Sequence, residues 1–131
     1  AYKRKNLKAE THVFIEDMAA AYAGADLVVC RAGATSIAEI TALGLASVLI
    51  PYPFAADDHQ TVNAECLASK GAAVMMAQDK LTGNSLAGVI RRLYSSPKEL
   101  KAMMTVSKSM GRPKAAEEIA ENFLKLVGLS F

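Results

Sequence analysis

Four short apolar runs constrain the fold of this chain more than any other feature. They are His12–Ile15, Leu27–Cys30, Ser47–Pro51 and Ala73–Met76. The runs are continuous rather than alternating, which is typical of parallel strands that are covered on both faces. With helical segments between them, they predict an α/β fold with a doubly wound, Rossmann-like parallel sheet.

Helical segments separate the runs and fill the rest of the chain. The predicted helices are Asp17–Ala23, Ser36–Leu43, Gln60–Lys70, Ser85–Tyr94, Pro97–Met110 and Pro113–Val127. Gly44 and Gly71 stand where helix C-caps belong, and Pro97 and Pro113 suit first-turn positions.

Composition limits the classes of function. The chain has 131 residues, 52% of them hydrophobic, which is enough for one domain with a core. Net charge is only +2. The basic cluster near the start is interpreted as a solvated terminus, with an anionic membrane or nucleic-acid patch as the alternative. The cluster comprises Lys3, Arg4, Lys5 and Lys8. We therefore predict no nucleic-acid partner.

The cysteines and histidines predict no metal site. Cys30 closes an apolar run and Cys66 lies in a helical pattern, so both are expected to be reduced, buried thiols in a cytosolic compartment. His12 is embedded in a predicted strand and is interpreted as structural. His59 is the other histidine, and no C-x-x-C or D-x-D motif occurs. No apolar stretch is long enough for a membrane span.

The segment "ADLVVCRAGATSIAEITALG" joins the second apolar run to a helix start. In open parallel sheets, ligands bind beyond the carboxyl ends of the strands. Gly33 permits a tight turn or close backbone approach, and the N-terminus of the next helix is a natural phosphate site. Thr35 and Ser36 add hydroxyl donors. The segment matches neither Walker A nor G-x-G-x-x-G, so it does not identify a ligand by itself.

Polar side chains that follow this turn have two interpretations. Ser36-x-x-Glu39 matches a capping box, whereas Glu39 could instead accept hydrogen bonds from both ribose hydroxyls of a nucleotide. Asp57 or Asp58 could cap a helix that begins near His59 and Gln60. Those two side chains could instead bind sugar hydroxyls.

An apolar stripe runs along the last predicted helix. Its members recur at helical spacing and are Ala116, Ile119, Ala120, Phe123, Leu124 and Val127. The stripe either packs on its own domain or docks on something outside this chain.

Two segments, "FIEDMAAAYAGADLVVCRAGATSIAEITALG" and "DDHQTVNAECLASKGAA", resemble the C-terminal half of the MurG family. Members of that family are bacterial N-acetylglucosaminyltransferases that convert lipid I to lipid II in peptidoglycan synthesis. The resemblance extends from Val13 to Val127. It implies that residues 1–131 form a truncated C-terminal donor-binding domain of a GT-B glycosyltransferase. The helix over residues 113–127 would lean toward the absent N-terminal domain.

The resemblance also implies binding roles for individual residues. UDP-N-acetylglucosamine would contact the chain through its uracil, pyrophosphate, ribose and sugar groups. The predicted contacts, in that order, are Ile15 through its backbone, the turn Gly33–Ala34–Thr35, Glu39, and the pair His59 and Gln60. Arg31 matches an arginine of the family, without an assigned contact. The resemblance implies no catalytic residue, no metal and no cofactor in this chain.

The implied function is the donor-binding part of an inverting transferase. The acceptor, lipid I, would bind through the absent N-terminal domain, and the enzyme would be cytoplasmic and peripheral on the inner face of the bacterial membrane. This chain alone is expected to be inactive and to self-associate. The alternatives are a donor-binding subunit or domain of another GT-B UDP-sugar transferase, and a non-catalytic interaction domain.

Overall fold

The sheet at the centre of the fold has three parallel strands. The computed structural model describes residues 7–128, so Lys3, Arg4 and Lys5 of the basic cluster lie outside the described residues. The strands are β1 (Leu27–Cys30), β2 (Ala46–Leu49) and β3 (Ala73–Met75), in the order β1-β2-β3. This arrangement confirms the predicted α/β fold class with a parallel sheet.

Six α-helices accompany the strands in the described part of the chain. They are α1 (Met18–Ala23), α2 (Ala34–Leu43), α3 (His59–Ser69), α4 (Gly83–Tyr94), α5 (Pro97–Met110) and α6 (Ala115–Leu126). Short 3₁₀ helices lie at Ala56–Asp58 and Gln78–Lys80. None of these described helices is long and apolar enough to cross a membrane.

The core lies on both faces of β2, whose residues are all buried. Leu49 packs with Ala64 and Leu67 of α3 on one face. Val48 packs with Leu93 of α4 and Met103 of α5 on the other face. Because the side chains of a strand alternate between faces, a continuous apolar run such as β2 requires helices on both sides. The fold meets this requirement.

The predicted strand His12–Ile15 is wrong. These residues form no strand, and their side chains face solvent: Val13 is fully exposed and Phe14 is 78% exposed. A strand exists through hydrogen bonds to a neighbour, and within the described residues this run has none. His12 is therefore not a buried structural residue; its Nε2 lies 3.5 Å from the Glu10 carboxylate in solvent.

Helix boundaries agree with the prediction at some positions and differ at others. Pro97 stands in the first turn of α5, and Gly44 ends α2 in the left-handed region at φ 71°. However, α2 begins at Ala34, two residues before the prediction, and α6 begins after Pro113 rather than with it. Pro97 and Gly44 are local signals, and the helix ends that they mark agree with the prediction. The early start of α2 instead depends on a tertiary contact, because Asn63 of α3 holds the turn before that helix.

Helix α6 does not bury its apolar stripe. None of its residues is buried, and among the stripe residues Ile119 and Phe123 are each more than 60% exposed and Val127 is 51% exposed. The interpretation that the stripe packs on its own domain is therefore wrong. Docking on something outside this chain stays a prediction.

Candidate functional site

The turn between β1 and α2 leaves the start of α2 open. Gly33 is the N-cap, in an extended conformation at φ −69° and ψ 148°, and no side chain caps the helix. This φ does not require glycine. A Cβ built at Gly33 would have no atom within 4 Å, so glycine keeps the space beside the turn open. The first N–H groups of a helix lack intrahelical partners, and they carry the positive end of its dipole.

The hydroxyl residues of this turn lie in the first turn of α2. Thr35 is exposed and Ser36 is half-buried. Neither is the N-cap, so the predicted capping box between Ser36 and Glu39 is wrong. The early helix start places Glu39 inside α2, where its carboxylate is free of a capping role.

Glu39 instead contacts α1. Its Oε2 accepts a hydrogen bond from the Tyr22 hydroxyl at 3.1 Å. Burial raises the pKa of Tyr22, and the bond to Glu39 and the negative charge of that carboxylate raise it further. The phenol is therefore a protonated donor at neutral pH. No local sequence pattern predicts this contact, because the two residues belong to different helices.

Arg31 joins the carboxyl ends of β1 and β2. Its Nη1 donates to the carbonyl oxygens of Ile50 and Pro51, each at 3.3 Å. The guanidinium also lies 5.5 Å from the centroid of the Tyr52 ring, within the range of a cation–π contact. Arg31 thus fixes the position of the loop after β2.

Two amide side chains of α3 complete the link between the loops. Asn63 Nδ2 donates to the Ala32 carbonyl oxygen at 3.1 Å, and Gln60 Oε1 accepts from the Tyr52 backbone N–H at 2.9 Å. Asn63 holds the β1–α2 turn, and Gln60 holds the β2–α3 loop. Asn63 follows Gln60 by about one helical turn in the sequence, but the sequence does not reveal that Ala32 is the hydrogen-bond partner of Asn63.

The start of α3 differs from the predicted cap. Asp58 is the N-cap residue, but its side chain makes no capping bond. Asp57 and Asp58 both adopt left-handed conformations, at φ 50° and 54°. His59 is exposed, with Nε2 3.7 Å from the Asp57 carboxylate. His59 therefore lies in solvent at the start of α3, whereas Gln60 contacts the loop after β2.

The structure brings most of the predicted site residues to two neighbouring helix starts. Gly33, Ala34, Thr35 and Glu39 lie at or near the start of α2. His59 and Gln60 open α3, which is tied to the same turn through Asn63. Ile15 is separate. It is 39% exposed in the irregular segment before α1 and is linked to the site through α1.

Two grooves lie beside these elements. One, of about 260 Å³, lies between α1 and α2. It is lined by Met18, Ala19, Tyr22, Glu39, Ala42 and Leu43. The other, of about 390 Å³, adjoins the carboxyl ends of β2 and β3 and has a mostly apolar lining that includes Pro51, Phe54 and Met75. Glu39 is the acidic side chain of the first groove.

Within residues 7–128, no group of three or more His, Cys, Asp or Glu side chains could hold a metal ion. Both cysteines are free thiols. Cys30 is half-buried, and burial raises its pKa, whereas Cys66 is exposed. The prediction of a buried Cys66 is therefore wrong. Its side chain lies on the solvent side of α3.

Comparisons with known proteins agree with this architecture. Residues 1–119 match the family model for the glycosyltransferase family 28 C-terminal domain. The chain is 52% identical over 120 residues to the UDP-N-acetylglucosamine–N-acetylmuramyl-(pentapeptide) pyrophosphoryl-undecaprenol N-acetylglucosamine transferase of Myxococcus xanthus. It is 50% identical over 129 residues to the protein of the same name from Syntrophus aciditrophicus. These alignments cover 92% and 98% of this chain but 31% and 36% of the relatives.

A solved structure gives the same result. The crystal structure of Acinetobacter baumannii MurG superposes with a TM-score of 0.84 and 38% sequence identity, covering 92% of this chain and 36% of that chain. The chain therefore spans about one-third of the length of the relatives it matches. The predicted resemblance to the MurG family is confirmed.

Proposed function

Because this chain belongs to the glycosyltransferase family 28 C-terminal domains, we propose that residues 1–131 form the donor-binding part of an inverting N-acetylglucosaminyltransferase. The donor is UDP-N-acetylglucosamine, and the complete enzyme transfers its sugar to lipid I to form lipid II. One observation carries the proposal: α2 begins without a side-chain cap beside open space at Gly33, and Glu39 follows on the same helix.

The start of α2 is assigned to the pyrophosphate. Its first N–H groups and the Thr35 hydroxyl are donors, and the helix dipole favours negative charge at this end. During transfer, the acceptor hydroxyl attacks the anomeric carbon with inversion, its proton passes to a base in the part of the enzyme outside this chain, and the bond from the anomeric carbon to the UDP oxygen breaks. The same donors stabilise the charge that develops on the departing UDP.

Glu39 is assigned to the ribose. It lies six residues after Gly33, which corresponds to a rise of about 9 Å along a helix. Helical side chains tilt toward the N-terminus, so the carboxylate covers the turn before its own Cα. The carboxylate thus lies less than about 9 Å along the helix axis from the proposed pyrophosphate site, and this spacing supports its assignment to the ribose. A carboxylate can accept hydrogen bonds from both ribose hydroxyls.

The remaining contacts are assigned to the two ends of the donor. His59 and Gln60 bind hydroxyls of the N-acetylglucosamine, since α3 starts at the same edge of the sheet as α2. Gln60 uses its amide oxygen to hold Tyr52, so its NH₂ group is the donor toward the sugar. Ile15 contacts the uracil edge through its backbone.

The acceptor is assigned to the rest of the complete enzyme. The chain spans about one-third of its relatives, so lipid I binds through the part that those relatives have in addition. The complete enzyme is peripheral on the inner face of the cytoplasmic membrane. This chain alone has no transferase activity.

Self-association of the isolated chain follows from two surfaces. In the described residues, β1 pairs with β2 on one side only, and the apolar side chains of Ile119 and Phe123 on α6 are exposed. Open sheet edges and exposed apolar patches favour association. Light scattering at high micromolar concentration should give a mass above 13.9 kDa. A monomer under those conditions would refute this part of the proposal.

Nucleotide specificity tests the donor assignment. We would titrate the ¹⁵N-labelled chain with UDP-N-acetylglucosamine, and with ADP as a matched nucleotide, since NMR detects weak as well as tight binding. The proposal predicts saturable shifts at residues 33–39 and 59–60 with the UDP-sugar, and much smaller shifts with ADP. No shifts, or equal shifts with both nucleotides, would contradict it.

A further inference from the structure

Tyr22 is an unexpected neighbour of the proposed ribose-binding carboxylate. It lies near the end of α1, where it is half-buried although α1 has no buried residue. Its hydroxyl donates to Glu39 Oε2 at 3.1 Å across the groove between α1 and α2. The contact joins residues 17 positions apart, so it belongs to the tertiary structure rather than to either helix.

The bond restricts Glu39 without occupying its whole carboxylate. A glutamate on an exposed helix face samples several rotamers, and fixing one costs conformational entropy. The Tyr22 hydroxyl selects a single rotamer before any ligand binds, and its rigid ring holds that hydroxyl in place. The bond uses Oε2, so Oε1 and the remaining lone pairs can still accept hydrogen bonds.

The ionisation of Tyr22 is compatible with this arrangement. Burial first, and then the Glu39 carboxylate, raise the pKa of the phenol above its ordinary value of 10.0. The hydroxyl therefore remains a donor throughout the neutral range.

We propose that Tyr22 is a positioning residue for ribose recognition, holding Oε2 of Glu39 so that the carboxylate meets the ribose hydroxyls. This inference rests on the proposed function of the site. Pre-organising a binding group lowers the cost of ordering it when the ligand binds. Tyr22 thus contributes to the discrimination between a ribonucleotide and a 2′-deoxyribonucleotide, although it acts only through Glu39.

A Tyr22→Phe variant isolates the hydroxyl, because it keeps the ring that packs between α1 and α2. A merely structural hydroxyl would change thermal stability without changing nucleotide selectivity. Tyr94→Phe is the matched control, since Tyr94 is 84% exposed at the end of α4. Glu39→Ala, alone and combined with Tyr22→Phe, tests whether the hydroxyl acts through the carboxylate.

The measurement is the dissociation constant of UDP and of 2′-deoxy-UDP for each variant of the full chain, by NMR titration. In Tyr22→Phe, we expect UDP binding to weaken about fivefold, as for one lost hydrogen bond, and 2′-deoxy-UDP binding to weaken less. The ratio between the two constants therefore falls. Tyr94→Phe leaves both constants unchanged, and Tyr22→Phe adds nothing in the Glu39→Ala background.

Two results would overturn the inference while leaving the donor site intact. One is an unchanged ratio of dissociation constants in Tyr22→Phe. The other is a further loss of affinity when Tyr22→Phe is added to Glu39→Ala. A wild-type chain that fails to bind UDP would overturn the proposed function itself, and the inference with it. This failure is distinguishable because it is seen before any substitution is made.

Discussion

Replacing Gly33 by alanine should separate ligand binding from folding. Gly33 caps α2 in an extended conformation that alanine adopts without strain, and the added methyl group would meet no protein atom within 4 Å. The open space beside the turn is therefore not needed by the fold. In our account, the pyrophosphate of the donor fills it.

The expected change in stability is small because two effects oppose each other. Alanine is a poorer N-cap than glycine, at a cost of about 0.5–1 kcal/mol. Replacing glycine also restricts the unfolded chain, which stabilises the fold by about 0.4–1 kcal/mol. The free energy of unfolding should thus change by less than about 0.5 kcal/mol, which corresponds to about 3 °C or less in Tm. A methyl group in the ligand space should cost about 1–3 kcal/mol of binding, or at least about fivefold in Kd.

Thermal unfolding and a UDP titration of Gly33→Ala provide the two readouts. Gly88→Ala is a matched control on α4, where a Cβ also meets nothing within 4 Å. It should stabilise the chain by about 0.5–1 kcal/mol and leave UDP binding unchanged. Unchanged UDP affinity in Gly33→Ala would refute the assignment of this space to the pyrophosphate. A large loss of stability would show that the glycine serves the fold.

Three further predictions concern packing and thiol chemistry. Gly111→Ala should destabilise the fold by about 1–3 kcal/mol in chemical denaturation, because its Cβ would collide with the backbone of α2; an unchanged midpoint would contradict this contact. Asn63→Ala should cost about 0.5–1.5 kcal/mol and speed amide exchange in the turn that contains Ala32, whose carbonyl it holds; unchanged exchange would count against that role. With Ellman's reagent, Cys66 should react before Cys30, since Cys66 is exposed and burial raises the Cys30 pKa. Burial favours the protonated Cys30 thiol. The stability that this group contributes is therefore complete below its ordinary pKa of 9.0 and is lost as pH rises through the raised pKa of the folded state.

Elements with strong local signals were predictable from the sequence. The bounds of β1 and α5 agree with the prediction residue for residue, because β1 is a continuous apolar run and α5 has Pro97 at its start and Gly111 after its end. The prediction of a strand at His12–Ile15 failed for a physical reason. Apolar composition indicates that a run prefers to be covered, but it does not supply the neighbouring strand that pairs with it.

The candidate site was predictable in its location but not in its connections. Its place at the carboxyl ends of the strands follows from the order of apolar runs and turns. The start of α2 was not predictable, because the sequence matched a capping box at Ser36, whereas in the structure the bond from Asn63 to Ala32 holds the turn before Gly33, the N-cap. The contact of Tyr22 with Glu39 joins distant parts of the chain, which periodicity and capping rules do not describe.

The affinity of UDP for a Glu39→Ala variant tests the central claim most directly. Since Glu39 forms no capping box and alanine is a good helix former, the variant should still fold, with a Tm lowered by a few degrees at most because the bond from Tyr22 is lost. Glu121→Ala, an exposed carboxylate on α6, is the matched control. By isothermal titration calorimetry, we predict a loss of about 1.5–3 kcal/mol in UDP binding for Glu39→Ala and none for Glu121→Ala. Equal UDP affinity in the wild type and Glu39→Ala would contradict the assignment of the ribose to this carboxylate, and with it the proposed donor site.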